Sequence, residues 1–147
     1  MIRNAREDDI PSIMEIENTV FFDPWPEAFF REEILESPYS DCFIYEEEGE
    51  IIAYGFLIKM FEQGDISNIA VKKEYQGKGF GQKMLEYLIK SAAADGVEYL
   101  HLEVRPSNLP AHRLYQKYGF IQSRIRKNYY EDGEDAIEMV KPVGGVL

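Results

Sequence analysis

The chain has 147 residues, 45% of them hydrophobic and 14% aromatic, which is enough for one domain with its own core, expected over 1–147. Its net charge of -11 is the wrong sign for displacing counterions from nucleic-acid phosphates, and no apolar run approaches the ~20 residues that span a bilayer. Cys42 is the single cysteine and Met1 is followed by no apolar signal core, so a reducing cytoplasm is the expected setting, with no membrane and no direct nucleic-acid partner.

In chain order, Ile2 to Ala5 reads as a short edge strand. A helix follows, capped by Asp8 or Asp9, with Pro11 in its first turn and Ile10, Ile13, Met14, Ile16, Glu17 and Val20 at helical spacing. The run Phe22-Asp23-Pro24-Trp25-Pro26 breaks the chain before a second helix near Glu27 to Glu36. Cys42 to Glu47 and Ile51 to Met60 are strands around the Glu48-Gly49 hairpin turn, and Asp65 to Lys72 is a third strand. Connections this short make the three antiparallel. A strong helix spans about Gly79 to Asp95, with Gly96 beyond its end. Strand Tyr99 to Arg105, a helix from Leu109 to Tyr118 with Ser107 or Asn108 as N-cap, and strands near Phe120 to Lys127 and Ala136 to Val140 complete the chain. The order β-α-α-β-β-β-α-β-α-β-β predicts an α+β domain: a mostly antiparallel mixed sheet with one central crossover, flanked by helices.

Charge is unevenly spread. Residues 1–65 carry 4 Lys/Arg against 17 Asp/Glu, whereas residues 66–147 carry 12 against 10. An anionic ligand should favour the second half and a cationic one the first.

The segment from Ile66 to Gln82 is strand, glycine-rich turn, helix, with glycines at 77, 79 and 81. Glycine lets the backbone turn tightly and lets a ligand approach it. The free N–H groups and partial positive charge of a helix start suit a phosphate. Lys72, Lys73, Lys78 and Lys83 add cationic charge. The Walker pattern is absent, and a G-x-G-x-x-G fingerprint would need glycine where Gln82 stands. A glycine-rich helix entry with no ligand is the alternative.

Gln76-x-x-Gly79-x-Gly81 resembles the signature of the GNAT N-acetyltransferases. The resemblance implies the GNAT acyl-CoA N-acyltransferase fold and acetyl-CoA as co-substrate. It also implies that Gln76, Gly77, Lys78, Gly79, Phe80, Gly81 and Gln82 hold the coenzyme pyrophosphate, while the main chain of Ile69, Ala70 and Val71 lies along the pantetheine arm. Gly77 stands where the family usually has a basic residue.

The second constellation is Leu102-Glu103-Val104-Arg105-Pro106-Ser107-Asn108 with Leu114-Tyr115 and Tyr118-Gly119-Phe120. Strand alternation puts His101, Glu103 and Arg105 on one face. A glutamate inside a covered strand is either paired with Arg105 or a lysine, or functional. Thioester aminolysis supplies a function: a carboxylate takes the proton of the incoming ammonium, and a neutral tyrosine returns one to the departing thiolate. Glu103 as general base and Tyr115 as general acid fit that division; core packing is the alternative for Tyr115. Cys42 is read as a core strand residue rather than a nucleophile. His101 and His112 are the only histidines, and no third ligand stands near His101 and Glu103 in the sequence, so no metal is expected.

These residues, with Phe22-x-Pro24-Trp25, Arg126 to Tyr130 and Glu134 to Ile137, are similar to the bacterial ribosomal-protein-alanine N-acetyltransferases (RimI type) over nearly the whole chain. Pro26 departs from that pattern, which has Ser or Thr after the tryptophan. The resemblance implies transfer to a protein N-terminus, the N-terminal alanine of a basic ribosomal protein. It makes Asn108 available to the coenzyme, and Trp25, Tyr129 and Tyr130 walls of the peptide slot. Strand packing is the alternative for the two tyrosines. Competing readings are a GNAT enzyme acting on lysine or a small amine, a non-catalytic acetyl-CoA-binding module, and a nucleotide-binding protein.

Overall fold

Strands and helices fall in the expected order in the computed structural model, which describes residues 1–144; the last three positions of the expected domain, 145–147, lie outside the described residues. The elements are β1 (Ile2–Asn4), α1 (Ile10–Val20), α2 (Glu27–Leu35), β2 (Ser40–Glu47), β3 (Glu50–Met60), β4 (Gln63–Val71), α3 (Phe80–Ala94), β5 (Tyr99–Val104), α4 (Leu109–Lys117), β6 (Ile121–Arg126) and β7 (Ala136–Pro142). They build a seven-stranded sheet in the order β1-β2-β3-β4-β5-β7-β6. β4 and β5 are its parallel pair, joined by α3 as the crossover, and the other neighbours are antiparallel. The last strand thus inserts between β5 and β6, which hydropathy alone did not indicate.

The two faces carry separate cores. On one, Met84, Leu85, Leu88 and Ala92 of α3 pack on Phe43, Ile52, Leu57, Leu100, Leu102 and Val104. Gly55 of β3 permits this approach, since a Cβ there would lie 2.7 Å from Met84 Cγ. On the other, Ile13 and Ile16 of α1 and Phe30 of α2 pack on Ile44, Tyr54, Phe56 and Ala70, with Cys42 buried among them as expected. Asp9 occupies the N-cap position of α1 but makes no capping bond to it. Its carboxylate reaches back to a bidentate pair with Arg3 and accepts from Arg6 N instead.

Two irregularities position the site. Between β3 and β4 the register steps from Phe56↔Asn68 to Leu57↔Ile66, so Ser67 is an extra residue. The bulge resets the alternation: Ile66 packs toward α3 before it and Ile69 and Val71 after it, while Ala70 joins the α1 and α2 side. The β4–β5 ladder comprises only Gln63↔Tyr99, Gly64↔Leu100 and Asp65↔His101. Beyond Asp65, β4 stays with β3 as far as Val71, while β5 stays with β7 as far as Val104. A seam therefore opens at the middle of the sheet.

Glu17 holds the β4 side of that seam. It is 1% exposed, and it accepts from Tyr54 Oη, Asn68 Nδ2 (3.1 Å) and Trp25 N (2.9 Å). Burial pushes its carboxyl above the usual range, against the three bonds. Glu17→Ala would strand the buried Tyr54 hydroxyl and two part-buried donors, so a loss of about 3 kcal/mol is expected as a lower urea midpoint with unchanged slope.

Candidate active site

The glycine-rich turn lies where β4 meets α3. After Val71 a 3-10 turn (Lys73–Tyr75) leads to Gln76, whose side chain donates to Val71 O at 3.0 Å and ties turn to strand. Gly77 and Gly79 have φ of 79° and 91°, a left-handed conformation that side chains disfavour. Gly79 is the N-cap of α3, and the first capping bond of the helix runs from Lys83 N to Gly79 O. The N–H groups of Phe80, Gly81 and Gln82 precede that bond and have no acceptor within the helix. Together with Val71, Pro110 and Leu114 the turn lines an open cleft of about 290 Å³ at the top of the seam. A smaller recess of about 70 Å³, beside Glu15, Thr19, Lys72 and Lys73, holds none of the expected site residues.

The lysines divide. Lys72, expected as free charge near the turn, is instead paired with Glu50 at 2.9 Å. Lys78 lies over the Tyr75 ring and Lys83 over Phe80, so these two stay with the turn. Asn108 rather than Ser107 caps α4, its Oδ1 accepting from Ala111 N at 3.3 Å beside Pro110 of the cleft. Ser107 bonds Glu134 through both its N–H and its hydroxyl.

Glu103 faces the α1 and α2 side of the sheet, as strand alternation predicts, because Leu102 and Val104 are buried on the other. It does not pair with Arg105. Its Oε1 accepts from Tyr129 Oη at 3.2 Å. Burial raises its pKa, the nearby Asp65 charge raises it further, and the Tyr129 bond opposes both. The contrast lies directly across the ladder at Glu138. Burial pushes that carboxyl up too, but bonds from Arg126 and Ser123 and the charge of Arg124 outweigh it and hold Glu138 below the usual range. Two neighbouring carboxylates are thus driven apart, one toward proton exchange and one toward a fixed charge.

Tyr115 packs on the α3 side with Phe120, ring centroids 5.9 Å apart. Burial alone pushes its phenol up to about 12, so it stays protonated at neutral pH. Glu103 and Tyr115 therefore belong to opposite faces of the sheet, and the seam between β4 and β5 is where the faces communicate.

Arg105 gathers the outer wall. It pairs with Asp132 (2.8 Å) and Glu134 (2.9 Å) of the β6–β7 loop, lies 3.5 Å from Asp23 of the α1–α2 loop, and stacks over Tyr130 at 4.0 Å. Tyr129 meets Tyr130 edge-on with centroids 5.0 Å apart, so both stand beside Glu103. Trp25 sits in the α1–α2 loop with its ring 4.4 Å from Phe29, and its N–H anchors that loop to Glu17.

Two features escaped the sequence. Asp65 lies opposite His101 across the β4–β5 ladder, with His101 Nδ1 3.5 Å from its Oδ1. One nitrogen or oxygen of each of Asp65, His101 and Glu103 lies within 4.8 Å of the others. No third donor stands near His101 and Glu103 along the sequence, but strand pairing brings in Asp65, remote in the chain. The other is Glu17, whose place on the apolar stripe of α1 was the available signal.

A sheet that parts at its centre, a glycine-lined helix start beside it and a half-buried carboxyl with a raised pKa make up the candidate site. The profile of the acetyltransferase (GNAT) family matches residues 10–120. The ribosomal protein bS18-alanine N-acetyltransferase of Escherichia coli (strain K12) is 36% identical over 97% of this chain and 97% of its own. A Bacillus subtilis (strain 168) protein, provisionally named for the same activity, is 39% identical over 94% of this chain and 92% of its own. A crystal structure of the Escherichia coli S18-alanine enzyme superposes with a TM-score of 0.92 and 34% identity, covering 100% of this chain and 96% of that one. The chain belongs to the GNAT acetyltransferase family, and it is similar over nearly its whole length to the ribosomal-protein-alanine N-acetyltransferases.

Gly79→Ala forces a side chain to φ 91° and sets a Cβ in the open space before the helix start. Strain of about 1–2 kcal/mol is expected, with coenzyme A affinity falling about tenfold by calorimetry; native affinity would remove the turn from the binding site.

Proposed function

We propose that the chain moves the acetyl group of acetyl-CoA onto the N-terminal α-amine of a protein, the alanine of a basic ribosomal protein, in the cytoplasm and as one domain over 1–147. The observation that carries this reading is Glu103: a partly buried carboxylate with a raised pKa, bonded by Tyr129, beside an open seam in the sheet. The bS18-alanine activity for which the Escherichia coli relative is named supports the acceptor.

The coenzyme pyrophosphate would sit on the N–H groups of Gly77 to Gln82, with Lys78 beside it and Asn108 near the arm. The pantetheine would run along Ile69, Ala70 and Val71. Val71 O already accepts from Gln76, and Ala70 faces its β3 partner Tyr54, which leaves the main chain of Ile69 and the N–H of Val71 on the seam edge for the arm. Trp25, Tyr129 and Tyr130 would wall the peptide slot, and the acidic first half would draw in a basic protein.

The acceptor arrives as R–NH₃⁺. Glu103 takes one proton, the amine nitrogen attacks the thioester carbon, and the C–S bond breaks as the tetrahedral intermediate collapses. Tyr115 protonates the departing sulfur. Burial makes that phenol a reluctant donor, and it gives up its proton only as the strongly basic thiolate forms. Tyr115 regains its proton from the nascent amide nitrogen. None of these steps draws on a metal.

The chemistry favours an α-amine over a lysine. An α-amine has a pKa near ~8 and a lysine near ~10.4, so a carboxylate base deprotonates the former with about 3 kcal/mol less penalty.

Coenzyme A release should therefore be seen with a basic peptide bearing free N-terminal alanine, and not with its N-blocked, lysine-bearing counterpart. Glu103→Gln and Tyr115→Phe should each lower kcat by about 10²-fold or more. Because Glu103 must be ionised and its pKa is raised, kcat/KM should fall as pH drops through a point above the usual carboxylate range. Turnover on lysine alone would keep the coenzyme site and reassign the acceptor. Native rates in both variants would remove the assigned roles.

A further inference from the structure

Acetyl transfer to an ammonium releases one proton overall: the nitrogen loses two and the sulfur gains one. On the reading proposed above, Glu103 collects the proton that must leave, so it has to discharge before each new cycle.

The groups facing Glu103 can be named from every element around it. Asp65 comes from β4 and His101 from β5 itself. Glu138 stands across on β7 and is held by Arg124 and Arg126 of β6. Tyr129 and Tyr130 come from the β6–β7 loop, and Arg105 is engaged with Asp23, Asp132 and Glu134. The arginines are permanently charged, Glu138 is pinned as an anion, and the Tyr129 and Tyr130 phenols already hold their protons and cannot take up one from a carboxylic acid. His101 alone among them offers an imidazole, a ring that can take a proton on one nitrogen and release one from the other, together with access to water, its side chain being 31% exposed. Its Nδ1 lies 3.5 Å from Asp65 Oδ1, and Asp65 is itself fixed by Ser67 Oγ at 3.1 Å, the bulge residue of β4.

We propose that His101, oriented by Asp65, is the relay through which Glu103 discharges its proton to solvent. The O–H bond of the Glu103 carboxylic acid breaks and an N–H bond forms on the imidazole. The Asp65 carboxylate steadies the imidazolium, which then releases a proton to bulk base and returns to neutral. Nothing is oxidised or reduced, and the proton count matches the overall reaction. The donor and acceptor atoms lie within 4.8 Å, a gap closed by a side-chain rotation or one hydrogen-bonded water. His101 thus acts through Glu103 and is a positioning and relay residue that does not touch the acceptor.

The test is steady-state turnover of the alanine peptide between about pH 6 and 9, at rising buffer concentration, for the native chain, His101→Gln, Asp65→Asn and Glu103→Gln. The relay predicts that His101→Gln lowers kcat about tenfold, leaves the KM for acetyl-CoA unchanged, and makes kcat depend on buffer, with added imidazole restoring most of the loss. Asp65→Asn should move kcat in the same direction by a smaller factor. A His101→Gln rate within about twofold of native, or a fall that imidazole does not repair, overturns the relay. Loss of native activity on EDTA treatment, restored by added zinc, also overturns it, in favour of a metal on the same side chains. Glu103→Gln separates the levels: if it is inactive while His101→Gln is native-like, the relay alone is wrong; if it turns over normally, the base assignment falls and the relay with it.

Discussion

Two parallel strands at the centre of the sheet stay paired for three register positions and then part, and the rest of the molecule is arranged around that parting. β5 is drawn away because β7 pairs with it along its whole length, from Tyr99↔Pro142 to Val104↔Ile137. β4 is held back because β3 pairs with it to Val71 and because buried Glu17 fastens Asn68 to α1. Backbone groups facing such a gap need partners. A ligand with amides of its own, as pantetheine has, is suited to supply them.

The same parting breaks the sheet between its two faces. Tyr115 packs on the α3 side and Glu103 stands on the α1 and α2 side, and their environments differ. The Tyr115 phenol, packed partly buried against Phe120 and the α3 core, keeps its proton. The Glu103 carboxyl, beside Asp65, has its pKa raised by burial and by that charge. Arg105 keeps the loops over this region together by charge and stacking rather than by apolar packing.

Much of this was legible in the sequence because its signals are local. Period and breakers placed the helices around Leu85 and Leu88 and the strand holding Leu100 and Leu102. The alternation of that strand set the facing of Glu103, and the glycine spacing marked the start of α3. What stayed hidden depends on which strands become neighbours. Asp65 and His101 are separated by α3 in the chain and adjacent in the ladder, so no spacing rule brings them together. Lys72 read as free charge until β3 supplied Glu50. The bulge at Ser67 carries no glycine or proline to announce it, and the insertion of β7 beside β5 is a choice of edge that hydropathy does not encode. Glu17 was visible as a polar residue at a core-facing position, but its role needed Tyr54, Asn68 and Trp25 around it.

The most direct measurement of the central claim is amide hydrogen exchange of the native chain with and without coenzyme A. If the seam and the helix start are one coenzyme site, slowing should concentrate at two neighbouring segments: Ile69 to Val71 on β4 and Gly77 to Gln82 at the turn. Slowing confined to other segments, or binding that leaves both of these unchanged, would contradict the account.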